Sequence, residues 1–210
     1  MITALLLAAG SARRFGAPKL TQDLGGRPLI RWAADALLAP GVDAITVVVP
    51  PDHAMVRDAL VGTGASYAVN HEPGRGIGAS IAAGVSAMDA GVGAVLIALG
   101  DEPGLDPAIV ARVVETYRAA GTRAPPVIVA PRYGDVPGHP VLFDRSVFPE
   151  LRALSGDRGA RSIVDRDPAR VAIVSVEAPP PADVDTPADL ARLRRESQNM
   201  IRPPTSPSDS

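Results

Sequence analysis

The sequence predicts an α/β fold built on a mostly parallel sheet. Two observations carry this expectation. Short runs of Val, Ile and Leu recur between longer amphipathic stretches, which is the rhythm of successive β-α units. Most of the short runs are apolar at every position and bounded by Gly, Pro or Asp, as strands buried on both faces of a sheet are. A third observation is size, since 210 residues with 46% hydrophobic side chains can bury one large core.

Taken in order, residues 4–8 open the series as a strand that runs out at Gly10. Residues 28–38 have helical spacing and begin at a proline, which suits the first turn of a helix. A strand at 44–49 and a helix at 52–60 follow, then a helix at 77–89 rich in small residues, a strand at 94–99 and a helix at 106–119 opened by Asp106-Pro107. Strands at 127–130 and 171–176 and a helix at 187–195, begun at Pro187, complete the alternation. Between Tyr133 and Gly156 the rhythm lapses. There "YGDVPGHPVLF" reads as a turn followed by an inserted strand, an excursion suited to a substrate wall. No internal repeat or linker divides residues 1–196, which are expected to form one domain. The segment 197–210, "SQNMIRPPTSPSDS", has too few apolar side chains to offset ordering entropy and is expected to be a disordered tail.

Composition narrows the function. A net charge of −2 gives no reason to expect nucleic acid or an acidic membrane surface as a partner, and the expected ligand class is a small molecule. The absence of cysteine excludes disulfides, thiolate metal sites and a cysteine nucleophile. Every apolar run is too short to cross a membrane, and the first residues read as a folded strand rather than a leader, so the chain is expected to act in the cytoplasm.

The chain holds twenty arginines and one lysine, Lys19, in "LLLAAGSARRFGAPKL". Lysine and arginine are not interchangeable, so a single lysine marks a place where a compact ammonium is wanted. The stretch follows the first strand, at the carboxyl edge of the sheet where open α/β sheets bind ligands. Gly10 permits close backbone approach, and Arg14 and Lys19 supply full charges, a combination suited to a polyphosphate. It fits neither GxGxxG, because position 12 is Ala, nor GxxxxGK[ST]. A plain solvated connection remains open on these residues alone.

Asp101, in "LIALGDEPGL", is delivered to the same edge and suits a magnesium ion, which takes one or two protein carboxylates beside phosphate oxygens. A turn or helix cap is the competing role, with Glu102 beside it as a supporting partner. Asp185, in "ADVDTPADL", reads on local grounds as the cap of the last helix. Asn70 and Ser80 flank the glycine-rich "EPGRGIGA", where Gly76 and Gly78 would let a flat nucleobase lie against backbone. His139 is one of three histidines, and no histidine-rich metal cluster exists in the sequence.

Together "LLLAAGSARRFGAPKL", "NHEPGRGIGAS", "GDEPGL", "GHPVLF", "LSGDRGARSIV" and "DVDTPADL" resemble, in order, the motifs of the molybdenum cofactor cytidylyltransferase-like (MocA/MobA-type) nucleotidyltransferase family. The resemblance covers residues 2–195. It implies a Rossmann-like three-layer α/β/α nucleotide-diphospho-sugar transferase fold. It implies nucleotide binding by Ala8, Ala9, Gly10, Ser11, Arg14, Lys19, Asn70, Gly76 and Ser80, with Lys19, Arg14 and Asp101 catalytic. Asp101 and Asp185 would be the ligands of Mg²⁺, and His139 and Arg161 would face the acceptor. The implied reaction is transfer of CMP from CTP to the phosphate of molybdopterin with release of pyrophosphate, with a molybdoenzyme or its maturation chaperone as a protein partner. Ala9 leans toward CTP, because cytosine-using relatives show LAAG where guanine-using ones show LAGG. Alternatives are another base such as GTP, another phosphorylated acceptor, an NAD(P)-dependent oxidoreductase on the same fold, and a noncatalytic nucleotide-binding partner. "GDEP" departs from the more frequent "GDQP" or "GDMP", which leaves the role of Glu102 open.

Overall fold

The computed structural model describes residues 1–10, 15–120 and 128–201, with side chains to 196. In chain order the first half holds β1 (Ile2–Leu7), a hairpin of β2 (Asp23–Leu24) and β3 (Arg27–Pro28), α1 (Leu29–Ala36), β4 (Ala44–Val49), α2 (Ala54–Ala59), β5 (Ser66–Val69) and α3 (Ile77–Ser86). The second half holds β6 (Ala94–Leu99), α4 (Pro107–Ala120), β7 (Ile128–Tyr133), β8 (Val136–Pro137), β9 (Val141–Asp144), α5 (Phe148–Arg152), α6 (Arg161–Arg166), β10 (Val171–Val176) and α7 (Pro187–Ile201).

The main sheet runs β10-β7-β9-β6-β1-β4-β5, with β8 paired to β7. β1 pairs in parallel with β4 and β6, β4 with β5, and β7 with β10. β9 runs antiparallel to both β6 and β7, so the excursion after Tyr133 inserts its strand into the middle of the sheet. Successive side chains of β1 point to opposite faces. Ala4 and Leu6 join Ile30, Ala33 and Ala34 of α1 and Val110 and Val113 of α4, whereas Leu5 meets Ile81 and Val85 of α3 and Phe148 and Leu151 of α5. Two helical layers therefore cover one sheet, and the α/β/α expectation holds.

All five expected strands are present. β5 is an addition at the sheet edge, and α7 continues past the expected end at 195 to Ile201, so the first residues of the expected tail extend a helix. The rest of that tail, 202–210, lies outside the described residues.

A third, smaller cluster holds Phe15, Leu24, Leu29, Val184 and Leu190. It ties the segment after β1, the β2-β3 hairpin and the start of α7 into one unit beside the carboxyl ends of β1 and β6.

α3 is seated closely on the sheet because Gly84 has no side chain. A Cβ there would lie 2.6 Å from Leu5 Cδ1 and 2.7 Å from Val48 Cγ2, both on fully buried residues. Gly84→Val should therefore lower stability by about 1–3 kcal/mol through overpacking, read from urea unfolding midpoints. An unchanged midpoint would show that α3 has room to shift.

Candidate active site

The site is assembled where β1 ends. Leu7 pairs with Val48 on one side and Leu99 on the other, which aligns the exits of β1, β4 and β6. Gly100 N donates to Leu7 O at 3.0 Å, and Ala8 N donates to Val48 O at 2.8 Å, holding those exits together. Ala8 and Gly10 line a cleft of about 600 Å³ with Lys19, Asp101 and Asp185. Ala9, Gly10, Gly76, Ser80 and Asp101 line a second of about 400 Å³. A Cβ on Gly10 would meet nothing within 4 Å, so its backbone faces open space between the two clefts. Ser11 and Arg14, expected in the same loop, lie outside the described residues.

Lys19 opens a short 3-10 turn, Lys19–Thr21, after Pro18. Its Nζ donates to Asp101 Oδ2 at 2.7 Å and to Asp185 Oδ1 at 3.4 Å. The lysine side chain is 11% exposed, against 25% for Asp101 and 42% for Asp185. The two aspartates meet because Val184 N donates to Asp101 O at 3.0 Å while the Val184 side chain is buried in the third cluster.

Asp185 is not the cap of α7, contrary to the local reading. Thr186 Oγ1 accepts from Asp189 N at 3.2 Å, and Asp189 Oδ2 accepts from Thr186 N at 2.8 Å, a reciprocal capping box. The Asp185 carboxylate faces Lys19. Asp101 likewise directs Oδ2 to the ammonium rather than to a turn.

The glycine-rich segment behaves differently from expectation. At Gly76, with φ of +87°, a Cβ would lie 2.5 Å from the backbone of Gly156, and at Gly78 one would lie 2.8 Å from that of Ser155. The close approach is thus made by the chain's own 155–157 segment. Gly156 N donates to Arg75 O, and Gly78 N donates to Gly156 O, each at 2.9 Å. Asn70 is 3% exposed, donates from Nδ2 to Ser80 Oγ at 3.0 Å and accepts from Glu72 N, so it braces the turn and α3 behind the cleft wall. Ser80 and Gly76 reach the cleft; Asn70 is not among its lining residues.

His139 and Arg161 line a third cavity of about 230 Å³, together with Arg132 and Arg158. Leu7 lines this cavity and both clefts, so the three adjoin at the end of β1. His139 Nδ1 donates to Glu102 Oε1 at 2.8 Å, and Glu102 is 5% exposed. Burial pulls the imidazole pKa down, but the hydrogen bond and charge of Glu102, with Asp183 and Asp101 behind it, outweigh burial and leave it raised. Asp183 was absent from the sequence-based set. Its burial, followed by the charges of Glu102, Asp101 and Asp185, pushes its carboxyl up to about 6.

The donor chemistry fits a magnesium-type ion. Two carboxylates converge on a position that already draws a cation, the Lys19 ammonium, and such an ion needs only one or two protein carboxylates when phosphate supplies further oxygens. No group of three or more His, Asp or Glu suited to a metal exists among the described residues, so the protein alone offers an incomplete shell. No helix among them is long and apolar enough to cross a membrane.

The sequence profile of the MobA-like NTP transferase domain matches residues 4–171. Nicotine blue oxidoreductase of Paenarthrobacter nicotinovorans is 31% identical over 91% of this chain and 96% of its own. A probable molybdenum cofactor guanylyltransferase of Natronomonas pharaonis is 35% identical over 54% of this chain and 55% of its own. Among solved structures, Rv0371c of Mycobacterium tuberculosis superposes with a TM-score of 0.80 at 29% identity, covering 92% of this chain and 97% of that one. Its manganese complex superposes with a TM-score of 0.77 at 28% identity, covering 92% and 98%.

The crowding of acids at this edge has a measurable consequence. Folded Asp183 holds its proton to a pH of about 6, whereas the unfolded chain releases it near 3.8. The folded state binds more protons across that window, so metal-free wild type should lose stability from this group as pH rises through it. Asp183→Asn should remove that component, and its urea midpoint should gain on that of wild type between about pH 4.5 and about pH 7. Parallel midpoints for the two proteins would exclude the shift.

Proposed function

The chain belongs to the MobA-like NTP transferase domain family, and from that membership we propose a divalent-metal-dependent cytidylyltransferase that moves CMP from CTP to the phosphate of a molybdopterin-type acceptor. The observation that carries this reading is the convergence of Lys19, Asp101 and Asp185 beside an open glycine at the end of β1.

In this reaction an oxygen of the acceptor phosphate forms a bond to the α-phosphorus of the nucleotide, the bond to the β-phosphate's bridging oxygen breaks, and pyrophosphate leaves. Little covalent work falls to the protein, and positioning and charge stabilisation supply the rate. Asp101 and Asp185 would hold Mg²⁺, which when bound neutralises charge on the phosphates. Lys19 would follow the phosphate oxygens as the bonds lengthen, with Arg14 as its partner in the same loop. Gly10, with open space where a side chain would stand, would let the triphosphate approach the backbone closely. Ala9, 3% exposed on the wall of the 400 Å³ cleft, places a methyl where glycine would leave more width, which supports a pyrimidine. Ser80 and Gly76 lie on the same wall for base and ribose, while Asn70 acts by bracing Ser80. His139 and Arg161 face the adjoining cavity, where the acceptor would sit. The manganese complex of the Mycobacterium relative supports a divalent cation.

The likeness to nicotine blue oxidoreductase favours a second reading, a nicotinamide-dependent oxidoreductase on the same fold. One panel separates the two. Purified protein is incubated with Mg²⁺, each NTP in turn and molybdopterin, and in parallel with NADH or NADPH and a dye acceptor. Pyrophosphate should be released with CTP and acceptor together, and Asp101→Asn should cut that rate on the order of a hundredfold or more while its melting curve stays near wild type. Release with GTP alone would reassign the base. Nicotinamide oxidation without pyrophosphate would establish the second reading in place of the first.

A further inference from the structure

We infer that Lys19 is a built-in counter-ion: it takes the cation position between Asp101 and Asp185 until a triphosphate draws it away, so metal alone binds weakly and nucleotide and metal bind cooperatively. The inference rests on the proposed metal role of the two aspartates and adds the order in which the site fills.

The geometry is direct. One ammonium lies 2.7 Å from Asp101 Oδ2 and 3.4 Å from Asp185 Oδ1. A divalent cation held by the same oxygens would lie next to Nζ, and two cations at that spacing repel strongly in a partly desolvated cleft. One of them must leave. Lys19 can, because it lines the 600 Å³ cleft alongside Gly10, which leaves its flexible four-carbon stem open space to sweep. Phosphate oxygens bound beside Gly10 offer the ammonium an equivalent partner, so the ion pair is exchanged rather than lost. Metal arriving without nucleotide finds no such exchange and must break a charge-assisted hydrogen bond outright.

The choice of lysine follows from the same requirement. A guanidinium would grip a carboxylate in a planar fork, whereas an ammonium passes from one oxygen to the next. In a chain with twenty arginines, the exchangeable position carries the single lysine.

The test reads metal binding, not turnover. Mn²⁺ is titrated into the full-length protein without nucleotide, and free ion is followed by electron paramagnetic resonance. Wild type is compared with Lys19→Met and Lys19→Gln, with melting curves confirming the fold of each. Both variants should bind one ion roughly tenfold or more tightly than wild type, since removing the ammonium relieves the metal of displacing a charge-assisted bond. Adding Asp101→Asn should abolish the gain. Equal affinity in wild type and both variants, lost on Asp101→Asn, would overturn the counter-ion role and leave the metal site standing. Absence of any Asp101-dependent binding would overturn both. A further arm needs no variant: wild type with CTP should hold Mn²⁺ more tightly than CTP alone does, and equal affinities would contradict cooperative filling.

Discussion

The ion pair of Lys19 with Asp101, shared with Asp185, is the constraint around which the carboxyl edge of this sheet is arranged. Burial and then the charges of Glu102, Asp101 and Asp185 raise the carboxyl of Asp183, so the edge carries four acidic side chains. Such crowding costs free energy unless a cation offsets it. Among the described residues, Lys19 supplies such a cation to Asp101 and Asp185. The pair can form because an apolar cluster fixes both sides of it, with Phe15 and Leu24 flanking the lysine segment and Val184 next to Asp185. Packing places the charges, and the charges prepare the cation site.

Beyond that pair, the site is divided by backbone. The segments 73–78 and 155–159 are joined by hydrogen bonds through Arg75, Gly78 and Gly156, and side chains at Gly76 or Gly78 would collide with the partner segment. Ile77 and Asp157 line both the 400 Å³ cleft and the 230 Å³ cavity. In the proposed reaction this wall lies between nucleotide and acceptor, leaving them to meet near Leu7 and Leu99. The Glu102–His139 pair stands at the 230 Å³ cavity, which His139 lines, and couples the strand that delivers Asp101 to the excursion that delivers His139.

The strands at 44–49 and 94–99 are legible because each is a continuous apolar or β-branched run bounded by turn residues. β5 is not: its four residues, SYAV, offer one buried side chain, and it exists because β4 provides an edge to pair with. Lys19 and Asp101 could be singled out from residue type and position after a strand. Asp185 could not be told from a helix cap locally, since the capping box of Thr186 and Asp189 is a three-dimensional fact. Asp183 was invisible for a similar reason. Its one signal was a second acid two residues before Asp185, and only the fold brings Glu102 beside it. The glycines at 76 and 78 do mark close approach, but what approaches them is the chain's own 155–157 segment, a pairing no local pattern encodes.

The central claim is that Asp101 and Asp185 form a cation site which Lys19 vacates for phosphate. A crystal structure of the protein with CTP and Mn²⁺, with the metal located by anomalous scattering, examines it most directly. The account predicts an anomalous peak coordinated by Asp101 and Asp185 and the Lys19 ammonium on a phosphate oxygen. A peak elsewhere, or Lys19 still seated on Asp101 with nucleotide and metal bound, would contradict it.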